Sequence, residues 1–368
     1  MKLHGKTPSI MLYYALISTY FSTYLANGAS SSEVGCFFIF GDSQSDNGNN
    51  NNNTGFARAD YKPYGIDFSK EMKPTGRFTN GRNVADFIVE FLGFDNYVPP
   101  FKNMSGWNIL KGVNYASGAA GIRDETGRTQ GERSSFNKQL KNHNLIISKL
   151  QHLLGNRIAA EEHLKSCLYM VQIGGNDYLN NYFMPLSYKT STEFTPHQYA
   201  TALSKQLSCK LKALYGQGAR KLAIFGAGPI GCTPYARANF DTKGSPCVEE
   251  INNAIQLFNI GLKSMVDDLN TKLTNAKFIF VDVFNIGTHG TPTSNQGEMV
   301  VDSPCCEVPA GKIQCVPLGK VCGNRKQYLF WDAVHPTEIG FMSLASRAYN
   351  AKFPNDTHPF DINRLVHL

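Results

Sequence analysis

Short apolar runs alternate along the chain with longer stretches in which apolar residues recur at helical spacing. The runs are residues 36–40, 167–173, Lys221–Phe225 and 278–283, with a further strand-like stretch at 113–121 that passes into small residues. Apolar runs of this length suit strands buried on both faces. Between them, Asn83 is placed to cap a helix carrying Val84, Phe87, Ile88 and Phe91 on one face, with Gly93 as its stop. Residues 136–154 form a second helical pattern, with Leu140, Ile147, Leu150 and Leu154 on one side. Thr195 precedes Tyr199, Leu203, Leu207, Leu211 and Leu214 at the same spacing. Residues 248–273 and Glu338–Tyr349 complete the helical set, and Pro336 suits the first position of the latter helix. Alternating strands and helices predict an α/β fold with three layers, α/β/α, around a central, mostly parallel five-stranded sheet.

Several runs end in glycine followed by polar residues: Gly41-Asp42-Ser43, Gly174-Gly175-Asn176-Asp177 and Gly226-Ala227-Gly228-Pro229. Those loops fall on one rim, where open α/β sheets bind their ligands. Residues 47–54 read as a surface loop too polar to pack, and 76–82 as another loop.

The N-terminus changes the picture from a fold to a compartment. Lys2, His4 and Lys6 precede an apolar stretch at 10–25 and small residues at 26–32. That is the layout of a secretory signal peptide, with cleavage near Gly28 to Ser30, so residues 1–29 are read as leader and 30–368 as one domain. The stretch is shorter than the roughly 20 residues of a membrane span. It also contains Ser18, Thr19, Ser22 and Thr23, so no transmembrane anchor is expected after cleavage. The nine cysteines then point to disulfides. Cys305, Cys306, Cys315 and Cys322 suggest a stapled loop, and Cys232 and Cys247 bracket another irregular stretch. Cys36 and Cys167 lie in apolar runs and read equally well as plain buried thiols. The odd count leaves at least one thiol unpaired within the chain. Sequons at Asn52, Asn103 and Asn355 predict glycosylation of a secreted chain. The net charge of +7 is dispersed, which gives nucleic-acid binding no support; the partners it would attract are acidic wall polymers or anionic lipid.

Candidate chemistry begins at Ser43. A serine hydroxyl is a poor nucleophile unless a base takes its proton, and the natural base is a histidine oriented by a carboxylate. His143, His152, His163 and His197 sit in or near polar helical sequence and read as surface residues. His335 differs, because Asp332 precedes it by three residues, a spacing that a tight turn converts into contact. Acyl transfer also needs donors for the carbonyl oxygen. The backbone N–H of Ser43, that of Gly118, and the side-chain amide of Asn176 are the candidates, with Gly121 an alternative to Gly118.

The block FGDSQSDNGN around Ser43 resembles the first block of the plant GDSL esterase/lipases, within the wider SGNH hydrolases. Gln44 stands where that family usually has Leu. NYASGAAGI containing Gly118, GGND containing Asn176, and DAVHPT containing Asp332 and His335 follow in the family's order across nearly the whole mature chain. The resemblance implies a flavodoxin-like SGNH fold and a secreted serine esterase or lipase acting through Ser43, His335 and Asp332. It implies no metal and no cofactor. Its substrates would be lipid, acylated polysaccharide or phenolic esters. Two other readings stand beside it: a carbohydrate acetyl esterase on the same scaffold, and a non-catalytic lipid- or wall-binding protein that kept the fold. No G-x-S-x-G elbow, P-loop or dinucleotide fingerprint occurs.

Overall fold

The computed structural model describes residues 32–104, 106–289 and 298–368. The expected leader, residues 1–29 with its cleavage near Gly28 to Ser30, and Ser105 of the second sequon lie outside them. Four parallel strands form the heart of the sheet: β1 (Phe37–Gly41), β2 (Leu168–Gln172), β3 (Lys221–Phe225) and β4 (Lys277–Val281). Because strand side chains alternate, each strand feeds two cores. Phe38, Phe40, Tyr169, Val171, Leu222, Ile224, Phe278 and Phe280 point to one face. Helices Phe136–Leu153, Pro196–Gly216 and Glu249–Lys272 cover it. Phe37, Ile39, Leu168, Met170, Ala223, Phe225, Ile279 and Val281 point to the other face, under α1 (Val84–Phe91) and the helix Glu338–Tyr349. The three layers are therefore those the alternation predicts. Burial of each large apolar side chain contributes about 1.5–3 kcal/mol.

Two of the helix-start signals act as read. Asn83 and Asp86 form a capping box at the start of α1, and Thr195 and Gln198 form another before Pro196. Residues Glu33–Leu368 make one compact unit.

Five of the expectations need correction. The fifth strand of the sheet is Thr357–His358, antiparallel to β4, not residues 113–121. That segment follows β1 through Val113 O, Tyr115 N and Ser117 N, yet registers only isolated bridges. Asn114 Oδ1 takes the Ala116 N–H at 2.9 Å and diverts the ladder. Pro336 does not open the last long helix, because Thr337 caps it and Glu338 is its first residue. Residues 47–54 are not merely a surface loop, since Asn47, Asn50 and Asn53 are buried with their amides bonded. Cys36 and Cys167 are joined as a disulfide across β1 and β2, beside Cys232–Cys247, Cys305–Cys322 and Cys306–Cys315; Cys209 is free. His143 is fully buried among Phe38, Phe40, Tyr115 and Tyr169, and burial pushes its pKa down to about 3.

Candidate active site

The register of the parallel strands aligns Gly41, Gln172, Phe225 and Val281 at one rim. The chain turns sharply after β1. A Cβ on Gly41 would lie 2.6 Å from Gln172 O, so the approach of β1 to β2 admits only glycine there. Buried Gln139 grips the same residue, accepting from Gly41 N at 3.0 Å and donating to Gly41 O at 2.8 Å. Ser45 Oγ donates to Gln172 Oε1 at 2.7 Å. Ser43 thus rides on a turn fixed on both sides, half-buried at the floor of a cleft.

The Asp332–His335 segment is a tight turn between Phe330 and Pro336, closed by Trp331 N donating to His335 O at 2.8 Å. Inside it, Asp332 Oδ1 accepts from the backbone N–H of Val334 and His335 at 2.9 and 2.8 Å. Asp332 Oδ2 lies 2.7 Å from His335 Nδ1 and accepts the Tyr64 hydroxyl at 2.7 Å. The far nitrogen, Nε2, lies 2.7 Å from Ser43 Oγ. Read as a network, Nδ1 carries the proton toward the carboxylate and Nε2 faces the serine hydroxyl. Asp332 and His335 are both buried, and the Phe78 ring packs 5.1 Å from the imidazole. Burial and the facing carboxylate hold the Tyr64 phenol far above its ordinary range, so it stays a donor.

Asn176 follows β2 and lines the cleft. Its Oδ1 accepts from Asn180 at 2.6 Å, and its Nδ2 donates one proton to Ala120 O at 3.0 Å. The second amide proton has no acceptor among the described residues. Ser43 N–H is likewise without one. Gly118 differs from expectation: its N–H donates to Asp46 Oδ2 at 3.0 Å, and Gly118 does not line the cleft. Gly121 does not line it either. Asn52, Asn103 and Asn355 are all exposed.

The cleft encloses about 810 Å³. Leu179, Met184, Ile230, Val283, Ile286 and Leu344 give it an apolar wall, while Gln44, Gln130 and Asn180 bring polar groups. The segment 309–317, inside the span stapled by Cys305–Cys322, also lines the cleft. Three carboxyls near the floor are raised chiefly by burial: Asp42 to about 7, Asp46 to about 6 and Asp177 to about 6. Backbone N–H donors oppose the shift in each case.

Sequence reasoning overlooked several residues that hold this geometry. Asp46 and Asp177 sit inside the very blocks that drew attention to Ser43 and Asn176. Asp177 accepts from Ile122 N, Arg123 N and Thr126 Oγ1, so it pins the loop that faces Asn176. Tyr64 and Gln139 carry no local signal, since their partners lie 268 and 98 residues away.

The sequence profile of the GDSL-like lipase/acylhydrolase family matches residues 37–346. GDSL esterase/lipase At1g29670 of Arabidopsis thaliana is 46% identical over 356 residues, spanning 96% of this chain and 97% of its own. GDSL esterase/lipase At4g18970 of the same plant is 44% identical over 336 residues, spanning 90% and 92%. A solved phospholipase A1 from Streptomyces albidoflavus NA297 overlays with a TM-score of 0.32 at 15% identity, over 84% of this chain and 95% of that one. With a family profile over most of its length and plant relatives that share almost half its residues, the chain belongs to the GDSL-like lipase/acylhydrolase family and is an ester-hydrolysing enzyme.

Proposed function

We propose that this enzyme is a secreted serine esterase/lipase that cuts carboxylic esters through an acyl-enzyme on Ser43. The observation that carries the reading is the unbroken hydrogen-bond chain from Asp332 through His335 to Ser43 Oγ, 2.7 Å at each link, at the floor of the cleft. His335 Nε2 takes the hydroxyl proton as Ser43 Oγ attacks the ester carbonyl. Asp332 keeps the imidazole in the correct tautomer and offsets its positive charge. The proton then passes from His335 to the leaving alcohol, and water, activated by the same base, releases the acid. Side chains complete every proton transfer, so no metal or cofactor is invoked.

The apolar wall favours esters with an acyl chain longer than acetate, because burying each methylene contributes about 0.8 kcal/mol. Secretion is inferred from the N-terminal pattern of residues 1–29, with 30–368 as the mature domain and glycans at Asn52, Asn103 and Asn355. Among the described residues no helix is long and apolar enough to cross a membrane. The polar groups of the cleft can take a sugar hydroxyl, which makes an acylated wall polymer a second substrate class for the same chemistry.

The test is hydrolysis of p-nitrophenyl esters of increasing chain length by the mature protein and by Ser43→Ala. The reading expects kcat/KM to rise beyond acetate and the variant to lose all but trace activity while staying folded. A preference for acetate alone would favour the carbohydrate acetyl esterase, and full activity in the variant would end the serine mechanism.

A further inference from the structure

Attack by Ser43 places negative charge on the former carbonyl oxygen, which needs N–H donors not already bonded to the protein. Ser43 N–H and one amide proton of Asn176 meet that condition. The remaining donor comes from the turn over residues 117–120, closed by Ala120 N donating to Ser117 O at 3.1 Å. Two peptide N–H groups lie at its tip. Gly118 N–H is committed to the Asp46 carboxylate, which also accepts from Gly48 N and Asn49 N at 2.7 Å each. Ala119 N–H has no acceptor among the described residues, and Ala119, unlike Gly118, lines the cleft with Ser43 and Asn176.

The direction of the Ala119 N–H follows from its own peptide unit. That bond is trans, so its N–H and C=O point opposite ways. The carbonyl is Gly118 O, held by Asn50 Nδ2 at 3.1 Å. Asn50 is buried outside the cleft, with its Oδ1 accepting the Ser117 hydroxyl at 2.5 Å. The Ala119 N–H therefore points away from Asn50. Asn176 Nδ2 donates to Ala120 O, at the end of the turn, at 3.0 Å, which ties the side-chain donor to the same turn.

The backbone pays a strain for this orientation. Ala119 has φ +61°, a left-handed conformation that favours glycine and costs an alanine about 1–2 kcal/mol. Strained residues held by their surroundings are concentrated at functional sites. The surroundings here are Asn50 on one carbonyl and Gly127 on the next: a Cβ at Gly127 would lie 2.1 Å from Ala119 O. Gly118 has a separate reason to be glycine, since a Cβ there would lie 2.7 Å from Phe78 Cζ and 2.8 Å from Asn50 Nδ2.

We infer that the backbone N–H of Ala119, and not that of Gly118, is the second backbone donor to the oxyanion, beside Ser43 N–H and Asn176 Nδ2. The assignment rests on the Ser43 reading and deepens it. In effect Asp46 orients the turn by occupying the neighbouring N–H.

The most direct test is a crystal structure of the mature protein inactivated with a p-nitrophenyl alkylphosphonate. Ser43 Oγ forms a bond to phosphorus as the P–O(aryl) bond breaks, the serine proton passes to His335, and p-nitrophenolate leaves. The phosphoryl oxygen then stands where the oxyanion would be. The expected result is that oxygen about 2.7–3.1 Å from Ser43 N, Ala119 N and Asn176 Nδ2, with Gly118 N still on Asp46. An oxygen bonded to Gly118 N, or to neither turn N–H, overturns the assignment. Failure of the reagent to modify Ser43 would instead end the serine reading itself. In solution, replacing Ala119 by L-lactic acid exchanges its N–H for an ester oxygen while keeping the methyl group; glycolic acid does the same at 118. The lactate protein should lose about 10²- to 10³-fold in kcat with KM little changed. The glycolate protein should lose far less kcat and chiefly thermal stability. Unchanged kcat with lactate, or an equal or larger kcat loss with glycolate, contradicts the proposal.

Discussion

Tyr64 donates its hydroxyl to Asp332 Oδ2 at 2.7 Å, across 268 residues of chain, and the same hydroxyl oxygen accepts from Cys315 N at 3.2 Å. The carboxylate that faces His335 is thereby tied to a loop that borders the cleft. Replacing Tyr64 with Phe leaves Asp332 its two backbone donors and the imidazole but removes one charge-assisted bond. Such bonds contribute about 1.5–3 kcal/mol. The expectation is a fall in kcat of roughly tenfold or more, with KM little changed and a lower melting temperature. Steady-state kinetics beside a melting curve check it, and an unaltered kcat in the folded variant would remove Tyr64 from the catalytic support.

The second prediction concerns Gly118. Its substitution by Ala puts a methyl group against Phe78, whose ring packs on His335. Phe78 must shift and carry the imidazole with it, so kcat should fall at least tenfold on geometric grounds alone. Ala119→Gly is the contrasting variant: it relieves a left-handed alanine, and thermal unfolding should show it no less stable than the parent.

How far the sequence revealed this arrangement depends on whether the deciding contacts were local. The helix of α1 could be read because its caps, its apolar face and Gly93 lie within eleven residues of one another. The alignment of Ser43, Asn176 and the Asp332–His335 turn could be read because each sits at the end of an apolar run or within a short motif. Asn47, Asn50 and Asn53 were misread because a polar side chain can be buried wherever distant backbone satisfies it, and a single sequence does not reveal that backbone. His143 was misread for a related reason, since the aromatic box around it is assembled from three separate segments. The pairing of Cys36 with Cys167 depends on the parallel register of β1 and β2, which spacing along the chain does not encode.

The third prediction follows from the buried carboxyl beside the serine. Asp42 is raised by burial from an ordinary value of 3.8 to about 7. Between those values the native protein keeps a proton that the unfolded chain has lost, so this group's contribution to stability falls as pH rises from about 4 to about 7. Asp42→Asn removes that loss. Relative to the parent, the variant should gain stability across this window by at most about 1.4 kcal/mol per pH unit, and the difference should level off above it. Urea unfolding of both proteins from pH 4 to pH 8 measures it. A difference independent of pH would show that Asp42 titrates normally in the folded state.

The fourth prediction concerns the bridge Cys306–Cys315, which holds part of the cleft wall and the Tyr64 partner Cys315 N. Replacing both cysteines by Ser opens a loop whose closure contributes about 2–4 kcal/mol. The melting temperature should fall, and KM for a long-chain ester should rise more than KM for acetate, because a longer chain has more surface to lose against the wall at 309–317. Equal changes in both KM values would separate this loop from substrate binding.

The central claim is that Ser43 is a nucleophile activated by His335. It is tested most directly by treating the protein and its His335→Ala variant with a fluorophosphonate and identifying the modified peptide by mass spectrometry. The account predicts a single adduct on Ser43 in the parent, formed with loss of fluoride and of esterase activity in step, and little or none in the folded His335→Ala protein. An adduct on another residue that accompanies the loss of activity, or equally fast modification of Ser43 without His335, would contradict it.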